Sequence, residues 1–444
     1  MQLTQVPING TKRNLSLLGA FCFFLSAIEY MIPKPLPFLR IGLANLPLLL
    51  ALDLMPFPSF LLLAAVKISG QALISGALFS YVFLLSAGGT LASATLMYAL
   101  RRAFGKEKLS LAGTGAAGAL ASNGVQLVLA YFFALGSGVR YAAVPVLALG
   151  LVTGTLLGAV SEYFIRRSLW YAQMKGAKPK EDNKGVIGDI GMVKETAAVP
   201  LCPATQNYNE NPLQRFRKKR ESFCRNTFSP GELALAGLCM APALLLNPGA
   251  SSRIIQFLFF FFIAWLFGKK TSPLVTLSVM AGIIFFNLII PYGEVLFTLG
   301  PMKITEGALK TGVQRAVTLE GLFMLSRACV SSKLALPGAF GEIVGESFRI
   351  FSGLAEEKKS FNARNWTERL DELLISGAAY PETGASAGAN LQSGEQVKKE
   401  PEKTGTASGP SRPPNKKRII QALGPKIFLA ALVFLAWLPL VIAS

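Results

Sequence analysis

Long apolar runs recur along this sequence, and cationic loops separate them. A first set lies at 15–32, 41–55, 59–79, 80–100, 111–135 and 142–165. A second set lies at 232–246, 254–267, 273–290, 306–330 and 419–443. Several runs reach the roughly 18 to 20 residues that a helix needs to cross a bilayer. Of the residues, 52% are hydrophobic and 16% charged, and mean hydropathy is +0.45. The pattern predicts an all-α polytopic membrane protein. Its expected parts are a six-helix N-terminal bundle and a second bundle of about five helices.

The net charge of +19 sits in the loops between apolar runs, which is the positive-inside pattern and not a nucleic-acid surface. With the N-terminus in the cytoplasm, Lys12 and Arg13, the 101–108 loop, Arg166 and the polar stretch after it, Lys269, Lys270, Lys333 and the 416–418 run all fall on one side. The expected location is the plasma (inner) membrane, crossed many times. The expected division is 1–174 for the first membrane domain and 175–228 for a basic cytoplasmic linker carrying RFRKKR at 215–220. It continues with 229–336 for the second membrane domain and 337–376 for a cytoplasmic amphipathic region. The remainder is 377–418, a Gly/Ser/Pro/Lys-rich linker, and 419–444, a last span. The first apolar run is long and lacks a small-residue cleavage site, so it is expected to stay as a helix.

Several chemistries are absent from the sequence. There is no histidine, which removes a histidine base and every histidine-containing metal site. Cys22, Cys202, Cys224, Cys239 and Cys329 show no CxxC spacing. The only aspartates are Asp53, Asp182, Asp189 and Asp371, so no aspartate-rich magnesium site for a prenyl diphosphate is present. No GxxxxGK[ST] motif occurs either. The expectation is a non-enzymatic protein without metal or cofactor.

The most unusual stretch is AIEYMIPKPLPFLRIGLANLP at 27–47. Proline fixes φ and removes a backbone donor, so Pro33, Pro35 and Pro37 predict an extended crossing between two helices. Glu29, Lys34, Arg40 and Asn45 lie at or near apolar helix ends. Ionisable groups at membrane depth are costly and point to a site; the alternative is that Lys34 and Arg40 sit in a wet loop or snorkel and that Glu29 pairs with one of them. Lys67 and Gln71 are one turn apart on one helical face. Either that face looks into a solute cavity, or Lys67 pairs with Glu29 to pin two helices. Gly88 and Gly89 admit close backbone approach, to a ligand or to a neighbouring helix. Asn123 and Gln126 read as interhelical hydrogen bonds or, alternatively, ligand contacts, and Arg315 and Glu320 as stabilisers of the second bundle or its contact with the first. Segment 337–375 repeats apolar residues at helical spacing among charges, as an amphipathic helix does. It suits a membrane surface or a partner groove.

The first block resembles the Gx transporter family, also labelled heptaprenyl diphosphate synthase component I. The residues that carry this are Glu29, Pro33, Pro37, RIGLAN at 40–45, KISGQALISG at 67–76 and SAGG at 86–89, within a stretch from Asn14 to about Arg167. The resemblance implies a six-helix substrate-capture subunit of the energy-coupling-factor type. Its expected solute-binding residues are Glu29, Lys34, Arg40, Asn45, Lys67, Gln71, Gly88 and Gly89. The second block is similar to the transmembrane coupling subunit of the same transporters, through Leu299, Gly300, Pro301, Thr305, Glu306, Gly307, Gly312, Arg315 and Ser326. That likeness implies coupling helices docked on separate ATPases through Arg349 and Arg364. The Ala-Arg-Gly signature of those helices is represented only by Ala363, Arg364 and Asn365. The function expected is a fused importer subunit with a small solute, ATPase subunits and membrane lipid as partners. The alternatives are a membrane accessory of polyprenyl diphosphate synthesis and an ion-driven transporter with Glu29 and Glu162 as couplers.

Overall fold

A computed structural model describes residues 8–31, 42–175, 212–269, 272–299, 302–331, 334, 336–356, 371, 374–375 and 416–443. The described structure is helical apart from one β-hairpin. Four stretches are long and apolar enough to cross a membrane: Phe57–Ser75, Tyr81–Lys108, Leu111–Arg167 and Gly424–Val441. This is an all-α multi-pass membrane protein. Large apolar side chains such as Val144, Leu274 and Phe434 lie on its outer surface, where lipid rather than water is the matching solvent.

The first block contains α1 (Ile8–Met31), α2 (Leu46–Ala51), α3 (Phe57–Ser75), α4 (Tyr81–Lys108), α5 (Leu111–Ala130), α6 (Val139–Arg167) and a short α7 (Leu169–Met174). Helices α5 and α6 form a hairpin turned by one π-helical and one 3-10 segment over residues 131–138. Small residues let the two approach closely. A Cβ on Gly158 would lie 2.2 Å from the Leu111 carbonyl oxygen, and one on Gly154 would lie 2.6 Å from that of Gly115.

The apolar run at 41–55 is not a full span. Only six of its residues are α-helical, about 9 Å of rise. Gly42 has φ 87°, a 3-10 turn covers Leu43–Asn45, and Pro47 falls in the first turn of α2. Every residue of α2 is buried, so its apolar content reflects enclosure by protein and not lipid contact. Asp53, just beyond it, pairs with Arg101 near the far end of α4.

The second block contains α8 (Pro212–Thr227), α9 (Pro230–Leu245), α10 (Ala250–Leu266), α11 (Pro273–Leu288), the hairpin β1 (Val295–Leu299) and β2 (Met302–Thr305), α12 (Glu306–Cys329), α13 (Gly338–Glu356) and α14 (Lys416–Ala443). Helix α9 starts with a complete capping box between Ser229 and Glu232. Helices α9, α10 and α11 have 16 or 17 residues, roughly 25 Å, a little less than a typical hydrocarbon core. The 295–302 stretch reads from sequence as a turn or re-entrant piece. It is instead most of an antiparallel hairpin, with Leu299 opposite Met302.

The two blocks share a core. Val82, Leu85 and Ala142 pack in one apolar cluster with Ile283, Ala316 and Leu319. The Phe79 amide donates to Ser326 Oγ at 3.1 Å, and Asn287 Nδ2 donates to the Ala134 carbonyl at 3.0 Å. Helix α13 lies against the first block. Ser347 sits beside Gly19, and Phe348 is 4.6 Å from Phe23 between ring centroids. Ile343, Val344 and Ile350 are buried in the first block's core, so the apolar face of α13 is covered by α1 and not by lipid.

Candidate functional site

A polar cavity lies inside the first block. It is enclosed by the end of α1, the 42–45 turn and helices α3, α4, α5 and α6. Its volume is about 50 Å³, room for a few waters and well below the roughly 300 Å³ at which ligand pockets begin.

Each polar group in the cavity is placed by a local feature. Glu29 and Lys67 are both buried and both line it. Gly42, free to adopt positive φ, turns its amide to donate to Glu29 Oε1 at 3.2 Å. Lys67 Nζ donates to Asn45 Oδ1 and reaches Thr90 Oγ1 at 3.5 Å. These contacts join α3 to the turn before α2 and to α4. One helical turn on, Gln71 Oε1 accepts from Ser86 Oγ at 3.2 Å. Asn123 Nδ2 donates to the Val146 carbonyl at 2.9 Å, a bond between α5 and α6, while Gln126 bonds Ser122 within α5. Both amides also line the cavity. The enclosure thus offers a carboxylate, an ammonium, amides and hydroxyls.

Of the residues singled out in the sequence, Glu29, Asn45, Lys67 and Gln71 come together here. Gly88 and Gly89 do not line the cavity. Gly88 faces Leu129 and Val125, and Gly89 faces Gln126 and Ser122, so they seat α4 on α5. Lys34, Arg40 and Arg364 lie outside the described residues. Arg349 is exposed on α13 and bonds Glu346 at 2.5 Å. Glu162 pairs with Arg166 at 2.7 Å at the end of α6, away from the cavity. Among the described residues no cluster of His, Cys, Asp or Glu could hold a metal ion.

Two features at the helix ends escape sequence inspection. Asp371 accepts hydrogen bonds from Ser168 Oγ, from the Leu169 amide at 2.8 Å and from the Trp170 amide at 3.2 Å. A carboxylate some 200 residues away in sequence thereby caps α7. Asp53 bonds Arg101 in bidentate fashion at 2.9 and 3.1 Å, with Lys106 at 3.7 Å. Burial pushes the Asp53 carboxyl up, but Arg101 and Lys106 outweigh it and hold it below the usual carboxylate value. Burial, and then the charge of Lys106, hold the Lys175 ammonium below its ordinary value.

Residues 18–164 match the family described as heptaprenyl diphosphate synthase component I. Residues 233–332 match a family described as a domain of unknown function. No curated protein and no solved structure matches the chain. The first match spans the helices that enclose the polar cavity, and the second spans α9 to α12.

Proposed function

We propose that this chain is a subunit of an energy-coupling-factor type importer, with a small polar solute held in the first block. The observation that carries this reading is the cavity. Glu29, Lys67, Asn45 and Gln71 are drawn from separate elements into one enclosed space inside an apolar bundle. Buried ionisable groups are expensive in a membrane, and a transport site is a common reason to keep them. The groups present suit a solute with both hydrogen-bond donors and acceptors, as a carboxylate-bearing metabolite has.

In this reading the chain catalyses no reaction and couples to separate ATPases. Helix α13 supports the coupling. Its apolar face lies on α1, which carries Glu29, while Arg349 lies on its exposed side, paired with Glu346. A partner gripping the charged side of α13 would pull on the helix that forms one cavity wall. Arg364 is the second expected contact, by resemblance.

The description of the matched family favours a second reading, in which the chain is the membrane component of a polyprenyl diphosphate synthase and binds a separate catalytic component. Affinity purification from native membranes in mild detergent, followed by mass spectrometry, separates the two. ATPase subunits that co-elute with the wild type and are lost with Arg349→Glu support the importer. A prenyl synthase without ATPases sinks it and selects the second reading.

A further inference from the structure

A second, larger cavity lies between the two blocks. Its volume is about 270 Å³, and its walls come from the 131–138 turn of the first block and from α11, α12 and the loop after α11 in the second. Among its described lining residues Arg315 is the cation. Arg315 Nη1 donates to Asn287 Oδ1 at 2.8 Å. Asn287 is fixed in turn, because its Nδ2 donates to the Ala134 and Ile283 carbonyls at 3.0 and 2.8 Å. The guanidinium rests on Gly136, where a Cβ would lie 2.0 Å from Nη1. Arg315 is thus held in place by a neutral amide and by backbone. Among the described residues it has no carboxylate within ion-pair distance, and it retains N–H donors beyond the one given to Asn287.

The rest of the lining divides by polarity. Ser137, Thr311 and Tyr292 bring hydroxyl groups, with the Tyr292 hydroxyl bonded to Thr311. Tyr131, Phe132 and Ile290 bring apolar surface. A positioned guanidinium matches a carboxylate through its paired N–H groups, and a single cation balances a single negative charge. The aromatic and aliphatic walls fit a compact apolar body. We infer that this inter-block cavity is a binding site for a small organic monocarboxylate with an apolar body, with Arg315 as its anchor. The site is separate from the polar cavity of the first block. Because both blocks supply walls, an occupant would bridge them.

Fluorine NMR of fluorobenzoate, added to the full-length protein in lipid nanodiscs, tests the inference, with fluorobenzyl alcohol as the neutral counterpart. The expected result is saturable binding of the acid and much weaker binding of the alcohol. Arg315→Gln weakens the acid by about tenfold or more, the size of a lost charge-assisted hydrogen bond. Ile290→Trp leaves the Arg315 side chain in the sequence, narrows the cavity and abolishes binding, which covers the case of an Arg315 variant that does not fold. Glu162→Gln, which lines neither cavity, leaves binding unchanged. Equal binding of acid and alcohol, no binding at millimolar acid, binding that survives both Arg315→Gln and Ile290→Trp, or stronger binding of phenyl phosphate than of the acid would each overturn the assignment.

Discussion

Two buried polar groupings, one in each block, are put to different uses. In the second block Asn247 Nδ2 donates to Gln256 Oε1, and Gln256 Nε2 donates to the Ala243 and Ala436 carbonyls, at 2.9 to 3.1 Å. Ser252 bonds Asn247, and Arg253 bonds the Asn247 carbonyl and Thr318. This network ties α10 to α9 and to α14, and its polarity is spent on holding helices together. In the first block the polar groups surround a void. Glu29, Lys67 and Gln71 line a small cavity with room for a few waters. Polar groups that satisfy each other build a scaffold, whereas polar groups arranged around a space build a site.

This contrast can be broken most forcefully at the close helix contacts. Gly158→Ala drives a methyl into the Leu111 carbonyl and Ala112 Cα, which are backbone and cannot move aside. The expected cost is about 3 kcal/mol, read as a lower Tm of the protein in detergent. A next step is Gln256→Leu. It strands Asn247 and two carbonyls, and should cost roughly 1–3 kcal/mol in thermal unfolding while leaving solute binding intact. If it weakens solute binding as strongly as a cavity variant, the division between scaffold and site fails.

Smaller effects sharpen the picture. Asp371→Ala removes the cap on α7 and should cost about 1 kcal/mol locally, seen as faster hydrogen exchange at the Leu169 and Trp170 amides. Asp53 gives a pH dependence. Its carboxyl lies below the ordinary value in the folded state, so its stabilising contribution is present above the usual carboxylate range. That contribution disappears as pH falls through the lowered value. Asp53→Asn should flatten this acid limb in a series of melting curves. Gly282→Ala, where an added Cβ meets nothing within 4 Å, should be neutral or gain up to about 1 kcal/mol.

Much of this arrangement was legible in the sequence because it depends on local periodicity. Lys67 and Gln71, four residues apart, had to share a face, and they share the cavity. The helical spacing in 337–375 showed that one side of α13 needed cover. That α1 supplies the cover depends on Gly19 and Phe23, which no local pattern connects to Ser347 and Phe348. Hydropathy misjudged 41–55 because it records apolar content and not helix length. Gly42 and Pro47 shorten the helix, and its residues are apolar through burial in protein. Gly88 and Gly89 were equally compatible with a ligand and with a helix, and only the position of α5 decides for packing. The Asp371 cap and the Arg315 cavity are long-range in the same sense. Each joins residues whose proximity follows from the fold and from nothing in the adjacent sequence.

The most direct test of the central claim is to purify the protein from native membranes and identify the small molecules released from it by mass spectrometry, for the wild type, Lys67→Gln and Gln256→Leu. The expected result is a specific polar solute that is present with the wild type, lost with Lys67→Gln and retained with Gln256→Leu. The same molecule retained by Lys67→Gln, or lost with Gln256→Leu while the protein stays folded, would contradict it.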